Sequence, residues 1–518
     1  MTHKIFRLVT SLIFALAITF AGVTPARAVG PWYVSTTGDD NNNCLSPGTP
    51  CGTINGAIGK ATDGDTINVA KGTYTGTGFE VVYLDKDATL AGGWDASFTA
   101  QSGMSILDGQ GERRGISSIT SNVTIFADHF TIQHGFASSG GGIGISNFGT
   151  LILSNSIVAN STASNGGGIA FAGSLTLNDS TVRDNIASNG GGGIWNLNGA
   201  LTLNNSTISG NTTGEGGGGI KDDGFMTILN NSTVSGNTAS GNGGGINYGS
   251  NTLILNNSSV GGNTAGGMGG GLGSDSTGGI VTLQNTILSG NTSGIGPDCS
   301  GIIGSSGYNL IGNNSDCTFT STTGDLVGTS IDPINPRWGS LQDNGGSTFT
   351  HALQTGSPAI DAGNPAAPGS GGNACLATDQ RGIARPQGPC CDIGAFELEA
   401  TGGVKEVTID IKPGSQSNPI NPRGSGKIPV AILSTLDFDA PSEVDKATLT
   451  FGRTGDEISL LSCNRKGEDV NGDGLLDLVC HFKTKLTGFQ IGDTEGFLKG
   501  QTLEGVSIEG RDSVRILK

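Results

Sequence analysis

Six copies of a Gly-Gly-Gly-Ile block, or a close variant, run down the middle of the chain and close at Ile143, Ile169, Ile194, Ile220, Ile246 and Leu272. The steps between them are 26, 25, 26, 26 and 26 residues. Self-similarity at one fixed period of this length restricts the chain to stacked, quasi-one-dimensional architectures, because each unit must bury its apolar face on the next.

Within a unit the order is constant, and Leu201-Thr202-Leu203-Asn204-Asn205-Ser206-Thr207-Ile208-Ser209-Gly210-Asn211 serves as the type. Leu201 and Leu203 alternate with Thr202, the period of two of a strand with one buried face. Gly and Asn interrupt every window long enough for a helix. The repeats therefore read as all-β coils of a parallel solenoid. The inward columns are Val182, Ile208, Val234, Val260 and Leu288 on one side and the six block-closing residues on another. Two polar columns recur: Asn185, Asn211, Asn237, Asn263 and Asn291 at one corner, and Asn205, Asn231, Asn257 and Asn285 at another, where Asp179 takes the earlier place. Carboxamides both donate and accept, so both columns are expected to form hydrogen-bonded ladders at a strand spacing of about 4.8 Å. The Asn-X-Ser/Thr strings read as products of the repeat rather than as glycosylation acceptors.

The Gly-Gly-Gly-Ile and Asn-Asn-Ser-Thr-(Ile/Val)-Ser-Gly-Asn-Thr units resemble the repeats of polymorphic outer membrane proteins. That resemblance implies a right-handed, pectin-lyase-like parallel β-helix, in line with the rule for parallel crossovers. Further on, Leu341-Gln342-Asp343-Asn344-Gly345-Gly346, Gly356 to Asn364, Asp379-Gln380-Arg381-Gly382 and Cys391 to Glu397 resemble, collinearly, the choice-of-anchor Q region of secreted bacterial β-helix proteins. This implies an exported surface protein and a segment that closes the helix.

The ends and the composition set the compartment. Lys4 and Arg7, the apolar stretch Leu8 to Val23 and Ala26-Arg27-Ala28 read as a secretory signal peptide over 1–28, and no later run is long enough to span a bilayer. The formal charge of −17 becomes 24 − 44 = −20 without those residues, which argues against nucleic acid and anionic lipid as partners. Nine cysteines in an exported chain suggest disulfides, with Cys44–Cys51, Cys299–Cys317, Cys375–Cys391 and Cys463–Cys480 as the local pairs and Cys390 left over, the third pairing being ambiguous.

The expected organisation is a parallel β-helix over 29–400, comprising a cap and early coils (29–136), regular repeats (137–296) and the closing region (297–400). A small β-sandwich follows over 401–518, after a Thr401-Gly402-Gly403 linker. Thr53 to Ala61 has apolar residues at helical spacing, with Thr53 as a cap, and would cover the open end of the core. The sandwich resembles a module appended to other exported bacterial proteins.

Asp469-Val470-Asn471-Gly472-Asp473-Gly474-Leu475-Leu476-Asp477 carries oxygens at positions 1, 3, 5 and 9 and Gly at 6, the pattern of a calcium loop. The expected ligands are Asp469, Asn471, Asp473, the Leu475 carbonyl and Asp477. Position 12 is Cys480, so Asp493 or Glu495 would have to supply the remaining carboxylate. The solenoid offers little other ionisable chemistry. Asp222 and Asp223, with Glu215 and Lys221, form its only dense charged group, and adjacent strand residues point to opposite faces. His129 and His134 fall on opposite faces of a strand, so a shared metal is not expected, and His351 has no acid or nucleophile near it in sequence. Asp361, Asp379, Arg381, Asp392 and Glu397 read as a structural ion-pair network at the closing end.

These features favour an exported, non-catalytic, adhesin-like surface protein touching glycans or surface proteins, stabilised by structural Ca2+. The alternative is a polysaccharide lyase or glycosidase using Asp222, Asp223 and Glu215. A carbohydrate-binding module would present aromatics in line, and the repeats contain only Trp195 and Tyr248 as Trp or Tyr.

Overall fold

The structure, a computed structural model, describes residues 30–399 and 404–517 apart from Thr277, Leu436 and Glu504. The expected signal peptide and the 401–403 linker lie outside the described residues. The chain divides into two compact units. The first runs to Ala352 and takes in Ala362–Gly382 and Ile393–Phe396; the second comprises Leu353–Asp361, Ile383–Asp392 and Glu397–Lys518.

The first unit is a right-handed parallel β-helix. One regular coil is built from Ile194–Asn196, Ala200–Asn204, Thr207–Ser209 and Thr212–Thr213. The first two kinds of strand belong to one 18-stranded sheet, because Ile143–Ser154 and Ile169–Asn178 run through both. The third and fourth kinds form sheets of 11 and six strands. The register is the one the repeat dictates: Ile143, Ile169, Ile194, Ile220, Ile246 and Leu272 pair in succession, as do Val182, Ile208, Val234, Val260 and Leu288. All of these side chains are fully buried. A coil that presents only a few inward aliphatics cannot be stable alone, and its backbone amides find partners only in the coils on either side.

At the amino-terminal end the helix Ile54–Ile58 lays Ile54, Ala57 and Ile58 on the core. Thr53 caps it, its hydroxyl accepting the Gly56 amide at 2.9 Å. The helix stops short of Ala61, with Gly59 at its C-cap.

The corner of Asn185 is the ladder the repeat implied. Asn185 donates from Nδ2 to Oδ1 of Asn211 (3.0 Å), Asn211 to Asn237 (2.9 Å), Asn237 to Asn263 (2.9 Å) and Asn263 to Asn291 (2.9 Å). Each Oδ1 also accepts the backbone amide of the preceding Asn, and each Nδ2 reaches a carbonyl of an adjacent coil, such as that of Ile208 from Asn237. Every buried polar group at this corner is thus paired.

The second corner differs from expectation. Asn205, Asn231, Asn257 and Asn285 adopt φ between 44° and 50°, a left-handed turn that Asn tolerates better than other side chains. The stacked carboxamides are instead those of the preceding residue in the series, with Nδ2 of Asn204 on Asn178 Oδ1 (2.9 Å), Asn230 on Asn204 (3.0 Å) and Asn256 on Asn230 (2.9 Å). The left-handed residues turn outward and receive the 362–382 segment. Asn231 Nδ2 donates to the Thr378 carbonyl (2.9 Å), Leu376 N to Asn257 Oδ1 (3.0 Å) and Asn364 N to Asn285 Oδ1 (2.9 Å). That segment therefore runs along the side of the coils instead of sealing their end. The core continues past Leu288 through Leu310–Ile311 and Leu326–Val327.

The second unit contains two four-stranded sheets. One holds Lys405–Glu406, Ser507–Ser513, Glu495–Thr502 and Val444–Gly452; the other holds Ile409–Ile411, Lys427–Ile432, Leu478–Lys483 and Leu460–Cys463. Both contribute to one core, in which Phe451 meets Phe482 at 5.0 Å and Phe489 at 5.9 Å between ring centroids.

Candidate functional site

Outward side chains on the Ile143 to Leu272 ladder form one column: Gly144, Ala170, Trp195, Lys221, Asn247 and Gly273. Small residues at one end and long ones further along make a shallow groove of about 150 Å3, with Arg114, Gly144, Ala170, Trp195 and Leu197 among its walls. A Cβ on residue 144 would sit 2.8 Å from Nε of Arg114, so the glycine lets that side chain lie over the strand. Arg114 is anchored to the Gly140 carbonyl (3.0 Å), the Ser139 carbonyl (2.7 Å) and Ser117 Oγ (2.9 Å). The indole N–H of Trp195 donates to Asp223 Oδ2 at 3.0 Å, which fixes the plane of the ring. Next along, Lys221 pairs with Asp275 at 3.1 Å, and Asp275 also accepts from Asn242 and Asn247 at 2.9 Å each. Burial pushes the Asp275 carboxyl up, but its hydrogen bonds and the Lys221 charge outweigh that and hold it below the usual range.

The two adjacent aspartates are not brought together. Asp222 points into the coil and is fully buried. Its Oδ1 accepts from Asn196 Nδ2 at 2.7 Å, and its Oδ2 accepts from Asn251 Nδ2. Burial raises its pKa, and hydrogen bonds only partly offset this. Asp223 faces the opposite way, as alternation along Ile220–Asp222 requires. Glu215 is exposed, and its backbone amide bonds the Thr213 hydroxyl at 3.4 Å. A carboxyl pushed up by burial is the kind a general acid needs, but here it is sealed away from solvent.

The closing-end charges separate into two sets. In the first unit Arg381 Nε pairs with Asp379 (2.9 Å), and its guanidinium lies 3.7 Å from the Phe396 ring centroid. In the second unit the buried centre is Arg385, a residue missing from the sequence reading. It pairs with Glu397 at 3.0 Å and donates to the Asp392 carbonyl at 2.8 Å. Asp392 accepts the backbone amides of Asp361 (2.7 Å) and Leu398 (2.6 Å), and burial with the nearby Glu397 charge pushes its carboxyl up to about 7. Both sets orient loops by charge-assisted hydrogen bonds.

Of the histidines, His129 pairs with Asp128 (2.7 Å) and His134 with Asp108 (3.2 Å). His351 is stacked on Trp338, with centroids 4.7 Å apart, between Ser235 Oγ and the Gly339 carbonyl, both at 2.8 Å. Burial lowers its pKa, and the hydrogen bond to the Gly339 carbonyl offsets this only in part.

In the second unit the 469–477 loop is wound on its own carboxylates. Asp469 accepts the amides of Gly472 (2.7 Å) and Gly474 (3.1 Å), and Asp473 accepts that of Leu475 (2.8 Å), which holds its carboxyl low. Asp469, Asn471 and Asp473 are exposed. Asp477 is turned inward onto the amides of Ser434 (2.8 Å) and Val470 (3.1 Å). Neither expected extra ligand is free: Asp493 pairs with Arg453 (3.2 Å), and Glu495 lies 3.9 Å from Arg511. Among the described residues no three His, Cys, Asp or Glu side chains converge as a metal cage. Cys463 and Cys480 are bonded beneath the loop. Cys44–Cys51 and Cys299–Cys317 are also bonded, Cys375 and Cys391 are in disulfide form, and Cys390 is a free thiol.

No family model and no curated protein matches the chain. Three solved structures resemble it over most of their own length at low identity. A pectate lyase, Pel9A, has 16% identity and a TM-score of 0.37, covering 71% of this chain and 96% of its own. XylC in complex with xylose has 11% and 0.31, covering 71% and 98%. A rhamnogalacturonan lyase has 14% and 0.29, covering 61% and 91%.

Proposed function

We propose that the protein is exported and acts, without turnover, as an adhesin-like β-helical surface protein that contacts glycans. The observation that carries this reading is the Trp195 groove. An indole held flat by Asp223 stands beside a floor of Gly144 and Ala170, which suits stacking on a sugar ring. The one strongly desolvated carboxyl nearby, that of Asp222, has no access to a ligand there. The same burial weighs against the alternative with Asp222, Asp223 and Glu215: hydrolysis needs two carboxyls flanking one bond, and a lyase needs a base that reaches the substrate, which the sealed Asp222 cannot.

Export is supported by the signal-like segment 1–28 and by cysteines that are oxidised except for Cys390, as suits an oxidising compartment. No described helix is long and apolar enough to cross a membrane. The resemblances to polymorphic outer membrane protein repeats and to the choice-of-anchor Q region point to the outer surface of a bacterium. The 469–477 loop is assigned a structural Ca2+, taken by Asp469, Asn471, Asp473 and the Leu475 carbonyl, with Asp477 fixing the base of the loop.

The test is to incubate the purified mature protein with acidic and neutral polysaccharides, following both retention and new reducing ends or unsaturated products. Retention without products is expected, that of the neutral polysaccharides being lost in Trp195→Ala. Turnover abolished by Asp223→Ala would overturn the reading.

A further inference from the structure

The second unit carries a basic cleft on a protein whose formal charge is −17. Lys427 on Lys427–Ile432 lies directly across the antiparallel pair from Lys483 on Leu478–Lys483. Lys485 follows on the 3-10 turn Thr484–Leu486. The three line a cavity of about 520 Å3 whose apolar surface includes Leu461 and Leu486, each about half exposed. Like charges directly opposite across a ladder destabilise it. The described ion pairs of this unit use Arg385, Lys405, Arg453, Lys499 and Arg511 and leave these lysines out. Their field is felt by His481, whose pKa is lowered first by burial and then by the Lys427 charge.

We propose that this cleft binds a carboxylated polysaccharide, its lysines pairing with successive uronate carboxylates while Leu461 and Leu486 pack against the sugar C–H faces. Ammonium groups are point charges suited to carboxylates spaced along a polymer. No arginine fork lines the cleft to hold a single anion bidentately, and the apolar Leu461 and Leu486 beside the lysines favour a polymer with C–H faces over a free phosphate. The inference deepens the contact role proposed above by naming a second site and its ligand class, and it stands apart from the Trp195 groove.

The full chain is titrated with polygalacturonate, dextran and phosphatidylglycerol vesicles at about 50 mM and about 500 mM NaCl, salt being the screen for such contacts. Expected is binding to polygalacturonate and not to vesicles, weakened about tenfold or more by the higher salt and by the triple change Lys427→Gln, Lys483→Gln and Lys485→Gln, neither of which should alter any retention of dextran. Lys71→Gln, in the first unit, should have no effect. If the triple variant fails to fold, Lys485→Gln alone, outside the sheet, should weaken binding about threefold. Trp195→Ala should leave this binding intact even if it abolishes retention of neutral glycans, so the two sites fail separately. The proposal is overturned if polygalacturonate is not bound, if the lysine variants bind it like the parent, if Trp195→Ala abolishes it, or if vesicles are preferred.

Discussion

The carboxylate of Asp298 accepts both the backbone amide and the side-chain amide of Asn291, at 3.0 and 2.9 Å, and so ends the asparagine ladder with a group that only accepts. Its other oxygen takes the amide of Asn313 at 2.7 Å. The same device ends a second column. Amides of Ser156, Ser180, Ser206 and Ser232 each donate to the hydroxyl of the next serine at 3.2 Å. The series passes through Thr286 and Asn309 and stops where Asp325 accepts from both the N and Nδ2 of Asn309. An internal rung must donate and accept, whereas a last rung has no further partner to donate to.

Removing one internal rung should therefore cost more than a surface change. Asn237→Ala takes the acceptor from the backbone amide of Asn211, one of two acceptors from its Nδ2, and the side-chain donor from the Ile208 carbonyl, in a site with no water access. A loss of about 3 kcal/mol or more is expected from urea unfolding. A loss under about 1 kcal/mol would mean that the ladder does not hold the corner.

Asp392 gives the second unit a pH dependence of defined sign. Its folded pKa is raised from 3.8 to about 7, so between those values the folded state keeps a proton that the unfolded chain has lost. Stability should fall as pH rises through that window and level off above it. Asp392→Asn should flatten the profile of unfolding midpoint against pH, and an unchanged slope would refute the assignment.

Trp338 can lie against the coil only because residue 261 is glycine. A Cβ there would stand 2.3 Å from Cζ2 of Trp338 and 2.6 Å from the Ser289 carbonyl. Gly261→Val should lift Trp338 off His351, red-shift the fluorescence that Trp338→Phe removes, and cost about 1–3 kcal/mol.

Calcium should stabilise the second unit by about 2.7 kcal/mol at a hundredfold excess over Kd and so raise its unfolding midpoint, and Asp469→Ala should abolish the shift. Equal midpoints with calcium and with chelator would remove the metal from the account.

The coil and its core columns were legible because a 26-residue period and strand alternation together say which side chain meets which, as for Val182 through Leu288. The Asn185 ladder was legible for the same reason. In the Asn204-Asn205 pair, by contrast, both residues repeat, and only the backbone reveals which one is left-handed and which one stacks. The serine column recurs as plainly as the asparagines, but a serine two residues before each inward aliphatic reads as turn chemistry. Arg385 was missed because nothing periodic links it to Glu397, 12 residues away. Trp195 was discounted as a lone aromatic. Its partner Asp223 lies 28 residues on, one coil further, a distance the repeat supplies once the indole is taken to face outward.

The central claim is that one repeat makes one rung. Spin labels at Thr162→Cys and Thr292→Cys, in a Cys390→Ser background, report it directly, because these exposed positions are joined through Ile186, Thr212, Thr238 and Thr264 by successive parallel pairings. Five steps of about 4.8 Å predict a narrow distance distribution near 24 Å. A broad distribution, or one centred beyond about 40 Å, would contradict the stacked solenoid on which the Trp195 groove depends.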